Sequence, residues 1–199
     1  MLDSSSLNIV DFERGDTCII HKLFPSSWNF DFFSFIDNYY QKPYFRGYSL
    51  LYKNRVIGFG NILFFNPIGW LGNIIVKEEY RNQGLGQKIT SHLLEAGKAL
   101  GLQSFLLIAT DLGIPVYKKL GFRQDRDYAF FSPGDSGIRK QEPNLAIEAI
   151  EKNDLDLVNQ LDFKINGEER APLWSQFKNQ IFVIRDKNIV EGTYIKALG

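Results

Sequence analysis

The apolar positions of this chain change period along its length, and the changes mark its elements. Leu7 to Phe12 reads as a short opening strand. Asp16 to Trp28 has helical character, with Pro25 marking an end or a break. Phe32, Phe33, Ile36, Tyr39 and Tyr40 keep helical spacing, which predicts a second helix over Phe30 to Gln41 capped by Asn29. Tyr44 to Tyr52 and Val56 to Phe65 read as strands, joined by Lys53-Asn54-Arg55 in a tight hairpin connection. Asn66-Pro67 breaks the run. Gly69 to Val76 is apolar on both faces, as a central strand should be. A glycine-containing turn then opens a long helix to about Leu100, with Leu85, Ile89, Leu93, Ala96 and Leu100 on one face and Gly101 just past its end. Ser104 to Ala109 reads as a buried strand, Val116 to Leu120 as a short helix stopped by Gly121, and Gln124 to Phe131 as a last strand. Strands and helices alternate, so the class is mixed α/β.

Past this point the pattern changes. Ser132-Pro133-Gly134-Asp135-Ser136-Gly137 has the composition of a domain boundary. Two further strands follow, Ile181 to Arg185 and Ile189 to Ile195, separated by Asp186-Lys187-Asn188. The reading is a first domain over residues 1–135, a linker over 136–143 and a partial second domain over 144–199. The 199 residues are 44% apolar, enough for a core. A net charge of zero gives no electrostatic footprint for nucleic acid or an anionic membrane. No apolar run approaches the roughly 20 residues of a bilayer span, and the N-terminus lacks the pattern of a signal peptide. Cys18 is the one cysteine, which fits a reducing compartment; the expectation is a cytoplasmic protein with Cys18 as a buried small hydrophobe. His21 and His92 read as structural.

The segment with chemistry in it runs from Ile74 to Gln87. A buried strand ends in a turn, and the turn opens a helix. That places unpaired backbone N–H groups at a helix N-terminus, where the dipole also favours an anion. Gly84 and Gly86 lack a β-carbon, so a phosphate can approach the backbone. The physics points to a diphosphate site. It is not a dinucleotide fingerprint, because Ile89 occupies the place of the third glycine, and the Gly-Lys-Ser/Thr of a P-loop is absent.

Arg81-Asn82-Gln83-Gly84-Leu85-Gly86 resembles the R/Q-x-x-G-x-G/A acetyl-CoA motif of the GNAT N-acetyltransferase superfamily, with Val76 five residues before the arginine. Tyr117-Lys118-Lys119-Leu120-Gly121-Phe122 is similar to the family's Y-x-K-L-G-F segment, and the two blocks stand in the family's order. The resemblance covers Leu7 to Phe131. It implies the acyl-CoA N-acyltransferase fold, an α/β (α+β) architecture whose mixed central sheet has splayed strands and flanking helices. It implies acetyl-CoA as co-substrate and no metal. The backbone of Ile74, Ile75 and Val76 would pair with the pantetheine arm, and the Val76 N–H would face the thioester oxygen, where negative charge develops. Backbone N–H groups of Asn82, Gln83, Gly84, Leu85, Gly86 and Gln87 would hold the pyrophosphate, with the charge of Arg81 nearby. Tyr117 matches the tyrosine that protonates the departing thiolate, a role suited to a phenol that is neutral at pH 7.

The acceptor side is read less directly. Some family members carry a glutamate on the strand equivalent to Gly69–Val76, and this strand has no carboxylate or histidine. Proton removal then falls to water relayed by the backbone or Asn73, or to Asp111. Trp28, Phe33 and Tyr39 are the candidate lining of the acceptor cleft, together with Asn73 and Asp111. The acceptor expected is a small-molecule or amino-acid-like primary amine; the alternative is an acyl-CoA-binding sensor or interaction module without turnover. Thr110-Asp111-Leu112-Gly113-Ile114-Pro115-Val116-Tyr117 resembles the version in a bacterial subgroup with a second GNAT-like half, and Asp162, Gly167 and Arg170 resemble the D-x4-G-x2-R opening of that half. Its unfinished sheet needs cover, from the first domain's sheet, from a continuation of the second half or, the favoured expectation, from a homodimer through the C-terminal segment.

Overall fold

The computed structural model describes residues 2–28, 30–127, 146–151, 154–186 and 189–195. The chain divides into two compact units, residues 1–128 and 129–199.

The first unit is built on a five-stranded sheet. Its strands are β1 (Leu7–Asp11), β2 (Phe45–Tyr52), β3 (Arg55–Phe65), β4 (Ile68–Val76) and β5 (Ser104–Leu106), and their order in space is their order in sequence. β1 to β4 form an antiparallel meander, and β5 lies parallel to β4. The β2–β3 hairpin turns on Lys53 and Asn54, both with positive φ (48° and 60°), the conformation that matches strand twist in a two-residue hairpin.

The alternation of β3 decides which helix covers which face. Gly58 and Gly60 point toward α3 (Leu85–Ala99), and a β-carbon on Gly60 would lie 2.6 Å from Ile89 Cγ2, so the missing side chain sets how closely α3 approaches the sheet. Leu85, Ile89 and Leu93 are buried there with Leu50, Ile57, Ile62 and Leu71. Leu100, expected on the same stripe, closes the helix and is exposed. Phe59 points the other way, into an aromatic layer. Its ring lies 5.2 Å from Phe32 and 5.3 Å from Phe12, and Phe32 belongs to α2 (Phe32–Tyr39). Aromatic residues therefore form most of this second face, and Tyr39 is buried in it, its phenol pushed up to about 12 by desolvation.

Several boundaries differ from the sequence reading for local reasons. The helix expected over Asp16 to Trp28 is only α1 (Thr17–His21), followed by turns and a 3-10 turn at Ser26–Trp28 after Pro25. Cys18 and Ile19 face outward on α1 while Thr17 and Ile20 face in, so Cys18 is exposed rather than buried. α2 begins two residues late because Asp31 caps it, accepting from the Ser34 N–H at 3.1 Å; Asn29 lies outside the described residues. β5 ends at Leu106, and Leu107 to Thr110 form no strand. Gln124 to Asp127 are irregular, and the rest of that expected strand and residues 136–143 lie outside the described residues. No helix among the described residues is long and apolar enough to cross a membrane.

The second unit repeats the opening of the first. β6 (Ala146–Ala149), α5 (Asp154–Asn166), α6 (Ala171–Gln176), β7 (Ile181–Asp186) and β8 (Ile189–Ile195) follow the strand–helix–helix–strand–strand order of β1 to β3, with the same antiparallel pairing. The likeness extends to a bulge. Leu51 pairs with Val56 and Leu50 with Gly58, leaving Ile57 over; Arg185 pairs with Val190 and Ile184 with Gly192, leaving Glu191 over. The two bulges sit at a constant offset along the chain, as do Lys53-Asn54 and Lys187-Asn188 in sequence. Among the described residues β8 pairs with β7 alone, and Ile189 and Tyr194 are exposed on it.

The Asp162, Gly167 and Arg170 signature has a structural explanation. Gly167 takes a φ of 69° after α5, and the chain turns so that Arg170 Nε donates to Asp162 Oδ2 at 2.9 Å while its Nη2 donates to Oδ1. Burial is the largest influence on the Asp162 carboxyl and would raise it; the hydrogen bonds of Arg170, Trp174 and Asn166 and the Arg170 charge together outweigh it and hold the group below its ordinary value. Replacing Arg170 with Ala strands a buried carboxylate. We expect a loss of about 3–5 kcal/mol in this unit, read as faster amide hydrogen exchange across β7; exchange at the wild-type rate would show that the pair is not holding the unit.

Candidate active site

The sheet of the first unit opens where β4 and β5 part. They pair at Ile68–Ser104, Gly69–Phe105 and Trp70–Leu106, and no further. β4 continues to Val76, so residues 71–76 present one backbone edge without a strand beside it among the described residues. Backbone N–H and C=O groups in a partly buried setting need partners. An extended ligand with amide groups of its own supplies them in the manner of an added strand.

A bulge shapes the middle of this edge. Phe59 pairs with Ile75 and Asn61 with Gly72, so Asn73 and Ile74 stand opposite Gly60 alone. Asn73 takes a φ of 53°, which asparagine tolerates better than most residues. Its Nδ2 donates to Oδ1 of Asn61 at 2.9 Å, and Asn61 is 2% exposed.

The turn after β4 is held from within. Arg81 Nε donates to the Val76 carbonyl at 3.0 Å, tying the turn back to the strand end. Asn82 and Gly84 take positive φ (61° and 77°), and α3 then starts at Leu85, whose side chain is 4% exposed and anchors the helix in the core. No side chain caps α3, and its first intrahelical bond is from Lys88 N–H to the Gly84 carbonyl. The N–H groups of Leu85, Gly86 and Gln87 therefore lack intrahelical acceptors. A β-carbon at Gly84 or Gly86 would meet nothing within 4 Å. Gly84 is explained by its backbone angle. Gly86 is required neither by its own φ nor by any neighbour in the protein, so the open space above it fits a group from outside the chain. Donors, dipole and clearance together fit a diphosphate.

Tyr117 stands across the opening on α4 (Ile114–Lys119), its ring edge-on to Phe122 at 6.0 Å. Burial pushes its phenol up from the ordinary value, so it is a proton donor at neutral pH. It lines a cleft of about 350 Å³ together with Ile74 of β4 and Ile108 and Thr110 of the segment that follows β5. Trp28, Phe35, Leu63 and Trp70 form its apolar side, and Asn61 and Asn73 its polar side. A separate groove runs from Gly84 over Gln87, Lys88, Ser91 and His92 of α3.

The sequence candidates thus fall into two groups. Ile74, Ile75 and Val76 lie on the stretch of β4 beyond its pairing with β5, Arg81 to Gln87 form the turn after it and the start of α3, and Tyr117, Ile74, Trp28 and Asn73 line the cleft. Phe33 faces away, 42% exposed with its ring 4.8 Å from His21, and Phe35 takes the place expected of it. Tyr39 is core, and Asp111 is exposed in the turn before α4, outside the cleft lining. Asn61 was not anticipated. Its signal was present: one amide in the otherwise apolar run from Val56 to Phe65.

Comparison with known proteins bears on the family and the fold. The model of the acetyltransferase (GNAT) family matches residues 17–122. A curated relative, glucosamine 6-phosphate N-acetyltransferase of Trypanosoma brucei brucei, is 32% identical over 56 residues, 28% of this chain and 38% of the relative, so the match spans well under half of that protein. A predicted acetyltransferase from Clostridium acetobutylicum, solved with acetyl-CoA, superposes with a TM-score of 0.55 at 19% identity over 63% of this chain and 96% of its own. A Pyrococcus horikoshii chain superposes with a TM-score of 0.67 at 18% identity over 92% of this chain and 69% of its own. At such identities the likeness is one of fold.

Proposed function

The chain belongs to the acetyltransferase (GNAT) family, and on that premise we propose that it moves the acetyl group of acetyl-CoA directly to a primary amine held in the cleft beside Tyr117. The observation that carries the proposal is the continuity of the opening: the free edge of β4 runs into the turn that opens α3 without a side-chain cap, and the Asn61–Asn73 pair in its middle lines the same cleft as Tyr117.

Each part has a chemical task. The N–H groups at the start of α3 bind the diphosphate, and the groove toward Lys88 and His92 takes the nucleotide end. The edge of Ile74 to Val76 pairs with the amides of the pantetheine arm, which fixes the thioester against the cleft. The Val76 N–H stabilises the charge that develops on the thioester oxygen. When bound, acetyl-CoA supplies an activated acyl carbon with a good leaving group. The amine nitrogen forms the new C–N bond to that carbon as the C–S bond breaks. Tyr117 gives its proton to the sulfur and regains one, through water, from the nitrogen.

The curated relative acts by name on a phosphorylated amino sugar. No Lys, Arg or His is among the described residues lining this cleft, so that acceptor is not carried over. The test is thiol release from acetyl-CoA by the full chain with a panel of amines. We expect amine-dependent release and an acetylated product of matching mass. Tight acetyl-CoA binding with no release for any amine would favour the sensor reading instead.

A further inference from the structure

The lining of the cleft narrows the class of amine, and this inference rests on the acetyl-transfer reading above. Tyr117 is the only titratable side chain among the described residues that line it. Asp111 is exposed outside it, and Lys118 and Lys119 of α4 are exposed as well. The remaining side chains of its lining are indole, phenyl and aliphatic, with the carboxamides of Asn61 and Asn73 and the hydroxyl of Thr110 as the uncharged polar groups. Trp28 at 44% and Ile108 at 66% exposure leave apolar surface uncovered at the mouth. We propose that the acceptor is a weakly basic primary amine on an aromatic frame.

Two physical arguments converge on this class. The first is protonation. An aliphatic amine with the lysine-like value of about 10.4 is neutral in on the order of one molecule in 10³ at pH 7. Such a substrate must lose a proton before its nitrogen can attack, and the cleft holds no carboxylate or imidazole among its described lining. Desolvation by apolar walls disfavours the ammonium form further. An aromatic amine arrives with its lone pair free. The second argument is recognition. Trp28, Phe35 and Trp70 offer faces and edges for a flat ring, while a phosphate, a carboxylate or a second ammonium would find no opposite charge. The amide pair completes the fit: with Asn73 Nδ2 donating to Asn61 Oδ1, the Asn73 carbonyl oxygen remains an acceptor for an N–H of the neutral amine.

The test uses the full chain, saturating acetyl-CoA and four acceptors: 4-methoxyaniline, cyclohexylmethylamine, glucosamine 6-phosphate and spermidine. We expect 4-methoxyaniline to exceed glucosamine 6-phosphate and spermidine in kcat/KM by at least about 100-fold, with a flat profile from pH 6 to 9. Cyclohexylmethylamine should gain about tenfold per pH unit, following its own ionisation. Asn73→Asp keeps a residue that tolerates positive φ and adds a carboxylate; it should move the cyclohexylmethylamine limb to lower pH. Preference for glucosamine 6-phosphate or spermidine would overturn the inference, as would a pH-independent rate with cyclohexylmethylamine in the wild type, or turnover of none of the four while calorimetry shows acetyl-CoA bound. Failure of acetyl-CoA to bind is a different result, and it would remove the acetyl-transfer reading itself.

Discussion

Gly86→Leu will abolish acetyl-CoA binding without weakening the fold. Most glycine substitutions confuse two effects, because the new side chain strains the protein as well as blocking the ligand. Gly86 separates them. It sits in the first turn of α3, its φ is not in the left-handed region, and a β-carbon there meets nothing within 4 Å. Replacing a helical glycine with leucine favours the helix by something under 1 kcal/mol, so thermal stability should hold or rise. A leucine side chain would project into the space where the diphosphate must approach the N–H groups, and we expect affinity to fall by at least 100-fold, about 2.7 kcal/mol. Gly84→Val is the contrasting case: its φ of 77° adds backbone strain to the same steric block, so it should lose stability as well as binding. Calorimetry and a melting curve on each protein decide the matter. Unaltered affinity in Gly86→Leu would mean the diphosphate lies elsewhere.

The second large effect is at Tyr117. Tyr117→Phe keeps the ring that packs against Phe122 and removes only the hydroxyl. Acetyl-CoA should still bind, while kcat falls by about 10²–10⁴-fold, the usual range for losing a general acid. The pH dependence gives an independent check. Burial raises the phenol above its ordinary value, so the donor remains protonated through the neutral range, and its loss should appear only on the alkaline side of about pH 10. The wild type is therefore expected to hold its activity at pH 9, and the variant to lack any alkaline limb from this group. A kcat equal to wild type would assign the proton to water.

How far these residues were visible in the sequence varies with the physics involved. The cofactor side was legible because it depends on backbone: strand, turn and uncapped helix follow from Ile74 to Gln87 in order, and few other residues can alter them. The hairpin at Lys53-Asn54 was legible for the same reason. The acceptor side depends on which way side chains point, and that is set by residues distant in sequence. Phe33 and Phe35 are equally aromatic and two residues apart, on nearly opposite sides of α2; the burial of Phe32, Ile36 and Tyr39 decides which of them faces the cleft. Asn61 needed the bulge at Asn73 and Ile74 to acquire its partner, and no local pattern announces a bulge two strands' length away. Leu100 was misread because α3 ends at Ala99, and Cys18 because α1 buries Thr17 and Ile20 and turns the two apolar residues between them outward.

The bond from Arg81 Nε to the Val76 carbonyl has a thermodynamic corollary. It joins the turn proposed to bind phosphate to the residue proposed to face the thioester, so the two ends should not respond independently. A guanidinium drawn toward bound phosphate pulls on the same peptide plane whose neighbours orient the acyl group. Nucleotide fragments that lack the acyl arm should therefore influence how well an acylated arm is positioned, and measured binding energies for the two fragments should fail to add up to that of the whole.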